Sequence, residues 1–439
     1  MSASAEPELR LPRRAFGIIF AVSLATALGN TGMISVLPAI GRSLSIPDFL
    51  VSAIFSLSAF MWAFSSPYWA RASDRRGRKP LMIVGLLGFM ISMVACGIVV
   101  SAGLHRLAPP LAIFILFLLA RALFGLFGAA SNPATQAYVA EGTARDQRTQ
   151  AMASLAGAFG LGTVIGPFIA PLFIFPVVGL AGPLFGFAVI ASLMLYVVQR
   201  YLPESPYAAQ AAREAEARAA AEKSGDRKPM WRDPRLIPFL IFGFLIATVQ
   251  TAQGQTLGFL IIDKLHLSPL KAQGFIAVAM MFGAVAGLLA QWGIIRMFEM
   301  TPRALLRWGV AVALFGNVMV ALSPDYWTVV VGYAISSLGF GLARPGFTAG
   351  ASLAVEDAEQ ADAAGAIAAV NGVNVVLSPL FVLLYGVSRP APFLLSAAIL
   401  GLLLLYAFVD RVLKNAGEAP ATEEDATQAT LERRDEGGG

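Results

Sequence analysis

Twelve separate runs of mostly apolar residues are what this chain has to find a place for. They lie near 16–39, 50–71, 81–101, 111–133, 151–177 and 183–200, then, after a polar gap, near 237–262, 271–295, 304–322, 327–350, 363–387 and 391–410. A helix needs roughly 20 such residues to cross bilayer hydrocarbon. Inside lipid every backbone N–H and C=O must be bonded within the protein, which leaves helices as the form for runs of this length. The composition agrees: 57% of the 439 residues are hydrophobic and 13% charged, against about 25% charged in a soluble domain. That much apolar surface excludes a soluble enzyme, a disordered regulator and a nucleic-acid-binding module. Cys96 is the single cysteine, so no disulfide framework forms, and His105 and His266 lie too far apart to suggest zinc. No metal or cofactor is expected.

Lys and Arg set the orientation. With the amino terminus inside, segments facing the cytoplasm hold 25 of the 32. The outer loops hold five (Arg42, Arg106, Lys264, Lys271 and Arg389), and Arg121 and Arg344 fall within spans. Both termini are therefore expected in the cytoplasm, with the chain in the inner (plasma) membrane. The net charge of +5 is this bias and implies no nucleic-acid partner. The first apolar run exceeds 20 residues and lacks a small-residue cleavage site, so no cleavable signal peptide is expected.

The expected organisation is a cytoplasmic amino terminus (1–15), a six-helix bundle (16–200), a cytoplasmic linker (201–235), a second six-helix bundle (236–412) and a disordered acidic tail (413–439). Ala, Glu and Arg recur at helical spacing in the linker, where Glu214 and Arg218 form an i,i+4 pair. An internal repeat supports two halves. The stretch 125–147 resembles 339–360, and Pro133 and Pro345 each precede a later proline, Pro167 or Pro379, by 34 residues. Parallel six-helix halves with a substrate site near the midplane are an established transporter plan.

The strongest local motif is Asp74-Arg75-Arg76-Gly77-Arg78-Lys79. Gly77 permits a tight turn, and Asp74 sits at a helix end where it can pair with cations. At these residues the chain resembles the major facilitator superfamily, whose signature loop reads Gly-x-x-x-Asp-Arg-x-Gly-Arg-Arg/Lys; the leading glycine is Ala70 here. The resemblance implies an all-α membrane protein of 12 transmembrane helices in two pseudo-symmetric six-helix bundles, the major facilitator fold. It also implies a conformational latch formed by Asp74, Arg75, Gly77, Arg78 and Lys79, for which Glu141 is the natural acidic partner. Glu356, Asp357 and Asp362 are the corresponding acids of the second half.

Arg121 lies within the fourth span, where a cation is costly by about 2.5–3.5 kcal/mol on insertion scales and so should face protein or water. With Gly125 at i+4 it resembles the superfamily's Arg-x-x-x-Gly pattern, which implies a part in proton coupling. Gly157, Gly162, Gly166 and Pro167 on the fifth span resemble the Gly-Pro motif of the antiporter branch, which includes tetracycline and multidrug exporters. By residue type alone they are helix-packing and hinge positions.

Polar residues recur at helical spacing in otherwise apolar spans: Asn30 on the first, Gln250 and Gln253 on the seventh, Tyr333 and Arg344 on the tenth, Asn371 and Asn374 on the eleventh. Together they suggest a cavity for an amphipathic small molecule. No Asp or Glu falls near the middle of any span, so a carboxylate proton carrier would have to be an edge residue such as Asp263. No Walker A loop is present. The expected activity is proton-coupled efflux of a small organic or drug-like compound by a monomer. An importer or an uncoupled facilitator of the same fold is the alternative.

Overall fold

The computed structural model describes residues 11–205, 230–356 and 359–416. The expected linker helix around Glu214 and Arg218 and nearly all of the acidic tail lie outside them. Among the described residues there is no strand. The first half contains α1 (Arg13–Ser43), α2 (Asp48–Arg76), α3 (Arg78–Leu104), α4 (Pro110–Glu141), α5 (Arg145–Ile169) and α6 (Gly182–Tyr201). The second contains α7 (Ile237–Leu265), α8 (Pro269–Met297), α9 (Pro302–Ala321), α10 (Tyr326–Leu353), α11 and α12 (Ala391–Val409). Helix α11 is built of Gln360–Val373 and Ser378–Val387, joined by a 3-10 turn over Asn374–Leu377. All twelve are long and apolar enough to cross a membrane.

Most helices outrun the apolar stretches that predict them, because polar residues continue the ends into water. The fifth is shorter. It ends at Ile169 and tightens into a 3-10 turn over Ala170–Phe173, where Pro171 removes a donor. Proline also opens α4, α8, α9 and α12, where the missing N–H has no helical partner to lose.

The packing repeats between halves. Helix α1 lies on α5 as α7 lies on α11, α2 on α4 as α8 on α10, and α3 on α6 as α9 on α12. Small residues allow the close approaches. Gly162 sits against the Leu24 carbonyl and Ala27, and Gly166 against the Leu28 carbonyl and Thr31, all on α1. In the second half Gly309, Gly316 and Gly339 bring the backbones of α9 and α10 together.

Calling the end that carries residues 71–79 the basic end, the buried core has an informative shape. One apolar cluster at the opposite end joins both halves, from Leu37, Ile40 and Val51 to Leu257, Ile261 and Tyr385. Towards the basic end the core divides. Ile19, Leu86 and Tyr138 belong to a first-half cluster, Phe239, Phe347 and Leu403 to a second-half cluster. The buried core is continuous across the halves at one end and divided between them at the other.

The glycines of α5 test this packing. Gly166→Ala drives a methyl into the backbone of α1 and is expected to cost roughly 1–3 kcal/mol, as overpacking does. Gly157, whose nearest neighbour is Trp292 at 3.8 Å, should accept alanine within about 0.5 kcal/mol. Thermal unfolding in detergent, followed by tryptophan fluorescence, measures both; equal apparent Tm values would contradict the packing described.

Candidate functional site

The continuous end of the core is closed by charge as well as by apolar contact. Arg42, at the end of α1, donates from Nε and Nη2 to the Asp48 carboxylate at 2.6 Å each. The same guanidinium reaches Asp263 on α7, in the other half, at 3.1 Å through both terminal nitrogens. Tyr385 of α11 donates to Asp263 at 2.7 Å, and Arg389 stands 3.9 Å away. One turn deeper, Ser52 donates to Gln255, and Ser56 donates to the Val375 carbonyl at 2.8 Å. Gln273 donates to Ser35 at 3.4 Å, and Pro38 fits against Gly258. Sequence reading singled out Asp263 but missed Arg42, Tyr385, Ser52 and Gln255 as its companions. Only the Arg42–Asp48 spacing across Pro47 could have hinted at the first of them.

At the basic end the charged clusters formed by the described residues stay within one half. Arg78 is 4% exposed and holds both acids that the signature loop predicts, Asp74 at 2.6 Å and Glu141 at 2.5 Å, with Ser73 at 2.9 Å. Gly77 has φ +93°, a left-handed value that glycine tolerates best. Behind it the Glu204 carboxylate accepts the backbone N–H groups of Arg78 and Lys79 at 2.8 and 3.2 Å, while Lys79 reaches the Gln199 carbonyl at 2.9 Å. Arg75 is exposed. Glu204, beyond the end of α6, carries no signal in the sequence.

In the second half Arg235 pairs with Asp233 at 2.7 Å and Glu359 at 2.9 Å. Its guanidinium hydrogen bonds hold both carboxyls below the usual carboxylate range. Glu359, rather than Glu356, is thus the described acid in this pairing. The side chains of Asp357 and Asp362 lie outside the described residues.

Arg121 is 1% exposed and enclosed by the first half. Its Nη2 donates to Asn30, and its guanidinium lies over the rings of Phe55 and Phe124 at 4.8 and 4.3 Å. Nε and Nη1 are buried and bonded to nothing. Directly after it α4 loosens into a π turn at Phe124–Gly128 that includes Gly125. Side chains of α2 take up carbonyls there: Ser58 donates to Arg121 O at 3.1 Å, Ser65 to Gly125 O at 3.1 Å and Trp69 to Leu126 O at 2.5 Å. Such π turns collect at functional positions. Arg121 and Asp263, the two expected coupling residues, have no partner in common.

The expected cavity residues divide. Gln253 is 2% exposed and exchanges hydrogen bonds with Ser336, tying α7 to α10. Asn374 is 4% exposed and accepts from Thr251 at 3.2 Å. Asn30, Gln250 and Tyr333 are half-buried, and Arg344 is exposed despite its place well inside α10. The side chain of Asn371 lies outside the described residues. Pro167 stands inside α5, one residue beyond the glycine that meets α1. A separate cleft of about 740 Å³ opens at the basic end, lined by first-half residues including Arg13, Phe16, Gln150 and Ser154.

Comparison with known proteins agrees with this architecture. The Major Facilitator Superfamily profile matches residues 19–379. Tetracycline resistance protein, class C, of Escherichia coli is 24% identical over 388 residues, covering 83% of this chain and 88% of that protein. Multidrug resistance protein 2 of Bacillus subtilis (strain 168) is 30% identical over 152 residues, so the match spans about a third of either chain. The crystal structure of a POT family transporter in complex with 5-aminolevulinic acid superposes with a TM-score of 0.70 at 14% identity, covering 90% of this chain and 96% of that one. At that identity the likeness shows the fold alone.

Asp263→Asn removes the charge that draws Arg42 across the halves. Losing about 1–2 kcal/mol of charged hydrogen bonding should shift the closed end towards opening by roughly tenfold. A Ser35→Cys/Gln273→Cys pair in a Cys96→Ala background reports this, because its oxidative cross-linking should fall several-fold when Asp263→Asn is added. Undiminished cross-linking would show that the charge does not hold this end shut. Glu141→Gln, which strips a buried partner from Arg78, should lower the apparent Tm more than Asp74→Asn, whose carboxylate is the more exposed of the two.

Proposed function

We propose that this chain, which belongs to the Major Facilitator Superfamily, exports a small organic or drug-like compound in exchange for protons by alternating access. The transporter class follows from the family; direction and coupling are the proposal. The observation that carries the mechanism is the divided core. A core continuous at one end and divided at the other fits one of the two arrangements that a rocking transporter alternates between. The distribution of Lys and Arg supports placing the basic end in the cytoplasm, and on that reading this is the inward-facing arrangement; the protein as proposed works as a monomer in the inner membrane. The resistance proteins among the relatives support export.

In the outward-facing arrangement the basic end closes. The Asp74–Arg78–Glu141 cluster, preassembled on the first half, then meets the second half as a latch. At the other end the Arg42–Asp263 bridge parts. Protonation of Asp263 would release Arg42 and favour that parting, so proton entry and gate opening share a residue. Arg121 contributes a fixed charge behind Asn30 that biases the path. The lack of a carboxylate at mid-span favours a second reading, an uncoupled facilitator of the same fold.

Inside-out vesicles with an acidic lumen distinguish the two. Accumulation of fluorescent drug-like dyes should depend on the pH gradient and collapse with nigericin. Asp74→Asn should abolish it while membrane insertion stays normal. Uptake that only equilibrates the dye and ignores the gradient would establish the facilitator instead.

A further inference from the structure

We infer that Arg389 is the partner Asp263 takes when the halves part, so that this end opens by exchanging ion pairs and strands no charge. The inference rests on the alternating-access reading above and specifies how its closed end is released. Arg42 does not hold its two acids alike. Nε and Nη2 form a fork on Asp48 of its own half at 2.6 Å each, whereas its contacts to Asp263 of the other half are 3.1 Å. Parallel bonds from a guanidinium to one carboxylate are the strong arrangement. The tight pair thus stays within the first half, and the looser one spans the halves. Arg389 approaches Oδ2 of Asp263 to 3.9 Å, just beyond hydrogen-bond reach. It sits in the turn between α11 and α12, which the Ala391 N–H closes onto the Ser388 carbonyl at 3.1 Å. Tyr385, one turn earlier on α11, already donates to the same oxygen at 2.7 Å. Asp263, Tyr385 and Arg389 all belong to the second half and move with it. The Arg389 side chain is 59% exposed, so nothing packed has to give way before it closes the remaining distance.

The charges of this end show what the exchange achieves. Its acids are Asp48, Asp263 and Asp325, all of them described. Asp325 caps α10, accepting the Thr328 N–H at 2.8 Å, and Lys264 donates to the Ser323 carbonyl rather than to Asp263. Among the described residues, Arg106, His266 and Lys271 form no ion pair with any of the three. Four charged groups then make up the bridge: Arg42 and Asp48 on the first half, Arg389 and Asp263 on the second. Each half carries one charge of each sign. Without Arg389, parting would leave Asp263 with a tyrosine hydroxyl and no cation, and a half-buried carboxylate stripped of its cation is costly. With Arg389 the halves separate as two neutral pairs, Arg42 with Asp48 and Arg389 with Asp263. Water entering the opened end softens the cost, so the effect of Arg389 is modest in size and definite in sign. Protonation of Asp263 is one way to release Arg42; the exchange is another, and it leaves Asp263 ionised. Arg389 is a positioning residue, acting through Asp263.

The Ser35→Cys/Gln273→Cys pair in the full-length Cys96→Ala protein reads the closure of this end. Arg389→Gln should raise its initial rate of oxidative cross-linking about threefold, the size of a half-exposed ion pair, because Asp263 then has Arg42 alone. Arg389→Lys, which keeps a cation, should return the rate to that of the parent. In an Asp263→Asn background Arg389→Gln should change the rate by less than about 1.5-fold, since no carboxylate is left to exchange. A residue that only braces the closed end gives the opposite sign: Arg389→Gln then lowers the rate, and that result overturns the inference. So does an unchanged rate, or the same rise in the Asp263→Asn background. Cross-linking reports the resting balance of the two arrangements and needs no substrate. Loss of gradient-driven export in the vesicle assay would therefore defeat the exporter reading alone.

Discussion

Hydrocarbon offers no hydrogen bonds, and that constraint orders this molecule from backbone to gate. Every residue crossing the bilayer must bond its own backbone, so the chain can only be a set of helices. Once formed, those helices gain nothing by burying leucine against leucine rather than lipid, and they associate through close contact and polar bridges instead. Gly162 and Gly166 of α5 against α1, and Gly309, Gly316 and Gly339 between α9 and α10, are where backbones meet. Where a helix departs from its regular bonding, at the π turn of α4, Ser58, Ser65 and Trp69 of α2 supply the missing donors.

The same constraint makes charge informative. Ionisable groups at the helix ends are gathered into clusters built around a single arginine. Arg42 joins acids of both halves, whereas Arg78 and Arg235 join acids of one half each. The difference follows the core, which is continuous at the Arg42 end and divided at the other. A bond between halves must break whenever they rock apart. In the proposed rocking motion bonds within a half would survive, so the basic-end clusters would travel as finished units. Arg121 stands outside this scheme as an interior cation, held by Asn30 and the rings of Phe55 and Phe124 rather than by an acid.

Much of this is legible in the residues themselves. The twelve runs, the polar gap between two sixes and the paired prolines dictate the helix count and the two-fold plan. The Asp74–Arg78–Glu141 cluster is also legible, because its loop is short and its acid sits at the end of a neighbouring span. The company of Asp263 is not. Arg42, Tyr385 and Gln255 come from helices distant in sequence, and no local pattern records that α1, α7 and α11 converge. Gln253 and Asn374 show the opposite limit: an amide in an apolar helix can line a cavity or bridge two helices, and its spacing is the same in either role.

What the sequence determined by itself is whatever depends on the solvent each segment must meet: helices, their number and the likeness of the halves. Tertiary structure decided which end of the molecule is shut, which acid each arginine holds, and which of the polar residues in the spans remain open to water. Hydrophobicity acts on each residue alone and can be read one position at a time. Contacts between helices depend on rotation and depth, which are settled only when all twelve are packed together.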